Sequence, residues 1–112
     1  MPFIQAKLSV SIDNKDELQQ KLSNAVSQSF NKPSAYIMSE LQENCDLWMG
    51  NKKLEKGAYL SISLLGSTTK QACYELTEKI CGILKQNYNI EGNNVYITYH
   101  PTELWGWNGM MF

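Results

Sequence analysis

Hydrophobic and polar residues alternate from the fourth position onward. Ile4, Ala6, Leu8, Val10 and Ile12 fall on one face, and Gln5, Lys7, Ser9 and Ser11 fall on the other. A period of two predicts a half-buried strand. Asp13 or Asn14 then caps a helix, because a short polar side chain can accept from the free N–H groups of a first turn. Leu18, Leu22, Ala25, Val26 and Phe30 recur at helical spacing and form its apolar stripe. Pro33 is the expected stop. Tyr36 to Gln42 reads as a second strand. Glu43 to Gly57 is polar and reads as a hairpin or an irregular loop.

The same grammar then returns. Ala58, Leu60, Ile62 and Leu64 alternate with Tyr59, Ser61 and Ser63 in a third strand, which Gly66 breaks. Ser67-Thr68-Thr69 can cap a second helix, and with Thr68 as the cap Gln71 sits where a capping box needs it. Ala72, Leu76, Ile80, Ile83 and Leu84 make its stripe, and a turn spans Asn89 and Gly92 to Asn94. Val95, Ile97 and Tyr99 open a fourth strand. The order is strand, helix, strand, twice over, and Ala35-Tyr36-Ile37 is echoed by Val95-Tyr96-Ile97. This predicts an α+β fold of tandem βαβ units, a four-stranded mixed sheet with both helices on one face. The other face stays bare. Tyr36, Met38, Tyr59, Tyr96 and Tyr99 are expected to give it apolar area, so self-association is expected.

A chain of 112 residues with 43% apolar and 19% charged positions suits one domain, assigned to residues 1–112. The net charge is −1, and every basic residue other than the single histidine is a lysine. Without arginine forks or a basic cluster beyond Lys52, Lys53 and Lys56, nucleic acid is not an expected partner. No apolar run suits a membrane span. The opening Met1-Pro2-Phe3-Ile4-Gln5 has no basic segment or long apolar run, so a signal peptide is not expected. Three cysteines and one histidine argue against a zinc site or a disulfide framework, and no metal or cofactor is expected. Reduced thiols fit a cytoplasmic setting.

Nucleotide-loop, zincin and nucleophile-elbow motifs are absent. Asp16, Glu17, Glu75 and Glu78 read as solvated helix faces. Cys81 reads as core packing and His100 as a strand-end residue. Lys32 reads as a complement to a helix C-terminus. Pro2 is the unusual candidate. Loss of Met1 would leave a secondary amine at the start of a buried strand. Burial and a nearby cation both disfavour protonation, so such an amine can serve as a general base.

The motifs resemble, in order, those of the macrophage migration inhibitory factor family, within the tautomerase superfamily. They are Met1-Pro2 before a strand, Asn31-Lys32-Pro33 with Tyr36-Ile37-Met38, Leu65-Gly66, Ile80-Cys81-Gly82, Val95-Tyr96-Ile97-Thr98, and Gly106-Trp107-Asn108-Gly109 with Phe112. The resemblance implies a homotrimeric barrel, with the sheets inside, the helices outside and three sites at subunit boundaries. It implies Pro2 as catalytic base, Lys32 on a substrate carboxylate and the Leu65 amide on the substrate. Tyr96 and Thr98 would come from a neighbouring subunit, while Trp105, Trp107 and Phe112 would wall the pocket. The implied activity is tautomerisation of small aromatic keto or enol acids of the phenylpyruvate or dopachrome type.

Thr98 stands where members often carry asparagine, and Trp105 where they carry a small aliphatic residue. The C-x-x-C of some vertebrate members falls on Gly57-Ala58-Tyr59-Leu60, so no thiol oxidoreductase activity is implied. The alternative reading is a secreted, cytokine-like ligand of a receptor protein, released by a non-classical route, with the pocket incidental.

Overall fold

The computed structural model describes residues 1–112. Strand β1 (Pro2–Leu8), helix α1 (Lys15–Phe30) and strand β2 (Met38–Gln42) form the first unit. Strand β5 (Ala58–Leu65), helix α2 (Lys70–Tyr88) and strand β6 (Val95–Thr102) form the second. A short hairpin, β3 (Trp48–Met49) with β4 (Lys52–Lys53), lies between them, and another, β7 (Gly106–Trp107) with β8 (Met110–Met111), ends the chain.

The main sheet has the order β2-β1-β5-β6. β1 runs parallel to β2 and antiparallel to β5, and β5 runs parallel to β6. The expected mixed sheet is therefore present. Ile4, Ala6 and Leu8 join Leu60 and Ile62 under the stripes of both helices in a single core cluster. Leu18, Leu22 and Val26 come from α1, and Leu76, Ile80 and Leu84 from α2. Each such side chain contributes about 1.5–3 kcal/mol by leaving water. Ala72 and Ile83, read as part of the α2 stripe, lie at its half-buried margins.

Several boundaries move for identifiable reasons. The first strand ends at Leu8 rather than Ile12. The Ser9 hydroxyl accepts from the Gly57 amide at 2.8 Å and turns the chain out of the ladder. Ile12 is buried all the same, from outside the strand. Of the two proposed caps, Asn14 is the one used: its Oδ1 accepts from the Glu17 N–H at 3.1 Å. Helix α1 ends before Pro33, because Asn31 takes the left-handed conformation at φ 52°. A 3-10 turn over Ser34–Tyr36 follows, so the second strand begins at Met38 rather than Tyr36. Of the three candidate caps of α2, Thr69 is the one used; its hydroxyl accepts from the Ala72 N–H at 3.1 Å. Gln71 donates instead to Glu75 at 3.3 Å.

The face away from the helices carries Phe3, Gln5 and Lys7 beside Ser63, Ser61 and Tyr59, then His100, Thr98 and Tyr96. Tyr99 is not on that face. It points to the helices, where its hydroxyl meets Thr77 at 2.7 Å and donates to the Cys73 carbonyl. Its ring meets Phe30 edge-on. Tyr36 also departs from the expectation, since it sits in the turn before β2.

Candidate active site

The start of β1, the turn before β2, the end of β5 and the C-terminal hairpin converge on a cavity of about 650 Å³. Pro2 lies on its floor, buried, because β1 is an inner strand and pairs Pro2 with Leu64. A proline fits the first position of a strand, where a missing N–H costs least. Phe3, Ile37 and Met38 make one apolar wall, and Tyr36 and Trp107 stand edge-on to each other at 6.4 Å on another. Trp105 lines the cavity as well.

Lys32 follows the left-handed Asn31, and its N–H donates back to the Ser27 carbonyl at 3.1 Å. The Ser27 hydroxyl in turn donates to the Lys32 carbonyl. These two bonds fix the lysine backbone just past α1. Its charge is felt at the chain terminus. Burial first, and the Lys32 charge second, push the Met1 amine below its ordinary value of 8.0. The terminus of this chain is thus held in surroundings that favour a neutral amine.

The Leu65 N–H donates to the Met1 carbonyl at 3.3 Å. Trp107 and Phe112 stack, with centroids 6.2 Å apart and planes at 14°. The Phe112 N–H donates to the Trp105 carbonyl at 3.1 Å, closing the last hairpin. Of the expected site residues, Pro2, Trp105 and Trp107 line the cavity, Phe112 reaches it through Trp107, and Leu65 and Lys32 act on Met1.

Tyr96 and Thr98 do not join them. Pro101, through Leu64, is in register with Pro2. Tyr96 and Thr98 lie farther back along β6 and face the bare side of the sheet. Tyr96 is 63% exposed. Thr98 is held between the Tyr59 hydroxyl at 2.8 Å and His100 Nε2 at 2.9 Å.

Sequence reasoning missed Tyr36, Met38 and Phe3 as cavity walls. It also missed the hairpin that carries Trp107. The signal for that hairpin was present: Asn108-Gly109 is the dipeptide favoured where both turn residues need positive φ. They have φ 54° and 74°. No three His, Cys, Asp or Glu side chains are grouped to hold a metal ion. No helix is long and apolar enough to cross a membrane. The Cys81 thiol is raised by burial, in keeping with a packing role.

The family model described as macrophage migration inhibitory factor matches residues 1–112. Among solved structures, a macrophage migration inhibitory factor homologue from Prochlorococcus marinus is similar at 29% identity and a TM-score of 0.87, with 98% of each chain covered. Pt0534 inactivated by 2-oxo-3-pentynoate shares the fold at 20% identity and a TM-score of 0.78, covering 96% of this chain and 91% of that one. So does a fused wild-type 4-OT described as a symmetric trimer, at 19% identity and 0.82, covering 97% and 94%. No curated protein sequence matches.

Proposed function

The chain belongs to the macrophage migration inhibitory factor family, and from that premise we propose that it is a keto–enol tautomerase whose base is the Pro2 nitrogen, freed when Met1 is removed. One observation carries this reading. The terminus lies in an apolar aromatic cavity whose burial and neighbouring Lys32 favour a neutral amine. While Met1 is attached the Pro2 nitrogen is an amide without basicity. Once it is gone, that nitrogen is a secondary amine at the same position.

The chemistry is a balanced proton shift. The neutral amine takes a proton from the carbon beside the substrate ketone, and the ammonium so formed returns a proton to the enolate oxygen, which gives the enol and restores the amine. The reverse path restores the ketone. Lys32 holds the substrate carboxylate as a point charge. The Leu65 N–H, which donates to the Met1 carbonyl here, becomes available to a substrate oxygen. Tyr36, Trp105, Trp107 and Phe112 receive an aromatic ring. Tyr96 and Thr98 serve the site of a neighbouring subunit in a homotrimer. Phenylpyruvate and dopachrome-type acids fit these requirements.

The test is enol-to-keto conversion of phenylpyruvate by wild type and Pro2→Gly, with removal of Met1 confirmed by intact mass. Pro2→Gly should lose at least about a hundred-fold in kcat/KM, the scale of general base catalysis. Equal rates overturn the proposal. In a second arm, 2-oxo-3-pentynoate should add to Pro2 and stop turnover.

A further inference from the structure

We propose that His100 is a positioning residue that sets whether Thr98 donates to or accepts from the substrate oxygen, so that proton uptake shifts the site's preference from enol to ketone. The inference deepens the tautomerase reading and rests on Thr98 facing a neighbour's cavity.

Three side chains form a chain on the bare face of the sheet. The Tyr59 hydroxyl lies 2.8 Å from Thr98 Oγ1, and Thr98 Oγ1 lies 2.9 Å from His100 Nε2. A threonine hydroxyl has one proton and two lone pairs. With the ring neutral and its proton on Nδ1, Nε2 accepts the Thr98 proton. Thr98 then takes the Tyr59 proton on one lone pair and offers the other to a ligand. That lone pair suits an enol O–H. The imidazolium carries protons on both nitrogens and can only donate. Thr98 then accepts from both neighbours, and its own proton is free for a ketone oxygen. An asparagine at this position would offer fixed donor and acceptor atoms; threonine makes the polarity switchable.

The surroundings leave this switch to His100. Its row across the sheet is Ser63, Phe3 and Met38, all uncharged. In the Thr98 row, Glu40 is engaged by Gln5 at 2.9 Å. Lys7 is two rows away, beyond Tyr59. Glu103 follows the end of β6, Met1 lines the cavity together with Ser63, and the Lys32 charge acts on the Met1 amine. A neutral imidazole can accept through one nitrogen and an imidazolium cannot, and His100 is the only histidine in the chain.

The experiment uses the full protein without Met1 and two probes: phenylglyoxylate, a ketone with no proton beside the carbonyl to lose, and mandelate, its hydroxyl counterpart. Dissociation constants are measured from pH 5 to 8, with the His100 ring followed by NMR. The preference for phenylglyoxylate over mandelate should rise about three- to ten-fold as His100 takes up its proton, the effect of one hydrogen bond. By reciprocity, phenylglyoxylate should raise the pH at which His100 titrates more than mandelate does. His100→Lys, whose ammonium can only donate, should hold the ketone preference at every pH. Thr98→Val should flatten the ratio and leave the ring titration. A flat ratio in wild type while His100 titrates, or a swing that survives Thr98→Val, overturns the inference alone. Binding of neither probe at any pH overturns it together with the tautomerase reading.

Discussion

Lys32 and Tyr99 show how a single residue takes its role from what surrounds it. Lys32 is placed by a left-handed asparagine and by two bonds with Ser27, so its charge reaches the chain terminus. Lys32→Ala should raise KM for carboxylate substrates by ten-fold or more, on the order of one lost charge-assisted hydrogen bond, with a smaller change in kcat. Steady-state kinetics separate the two, since binding shared by ground and transition states appears in KM. The sequence showed this lysine and its motif. The bonds that hold it could not be read, because Ser27 is an unremarkable polar position on a helix.

Tyr99 is expected on the bare face, yet it packs half-buried against the core. Burial, partly opposed by its bond to Thr77, pushes its hydroxyl up to about 12. A folded-state value raised above the ordinary 10.0 means that Tyr99 contributes stability below pH 10. That contribution is lost as pH rises from there through about 12. Denaturant midpoints should fall across that window in wild type, and Tyr99→Phe should show a shallower fall. An unchanged slope in the variant would place the alkaline loss elsewhere.

At the scale of elements, stripes were legible and ends were not. The α1 and α2 stripes follow from spacing alone, because burial of Leu18, Leu22, Leu76, Ile80 and Leu84 repeats with the helical period. Caps turn on backbone geometry one residue wide. Thr68 and Thr69 are equally plausible in sequence, yet only Thr69 has its hydroxyl on the Ala72 amide. Thr69→Ala should cost about 1 kcal/mol, and Thr68→Ala should cost less. Urea midpoints of the two variants decide it, and the reverse order would restore the capping box with Gln71. Asn31 makes the same point at the other end of α1. At φ 52° it tolerates glycine, whereas Asn31→Val should destabilise by about 1–2 kcal/mol. The C-terminal hairpin was written in Asn108-Gly109, but its strands are only two residues each, too short to show alternation.

The whole molecule is less compact than its length warrants. Its accessible surface is 6910 Å², against about 6,300 Å² for a folded monomer of this mass. Its radius of gyration is 14.2 Å, against about 13 Å expected for this length. The excess has a visible origin in the bare face of the sheet and in the hairpin that exposes Met110, Met111 and Phe112. The site tells the same story. Pro2 and its cavity lie at one end of the sheet, while Tyr96 and Thr98 lie farther back along β6 and line no part of it. Period-two alternation could place those two on the bare face, but which chain they serve depends on assembly, which no single strand encodes. If each site joins Pro2 of one subunit to Tyr96 and Thr98 of the next, light scattering should give three chains. Two inactive variants should then rescue each other. In Pro2→Gly the base is missing, and in a chain carrying Tyr96→Ala and Thr98→Val the neighbour's contribution is missing. After co-refolding in equal amounts, a site works when an intact Pro2 meets an intact neighbour. Random assembly of a closed ring gives that at about a quarter of sites. Recovery near that fraction places each site across a subunit boundary. Mixed trimers that stay inactive would confine it to one chain.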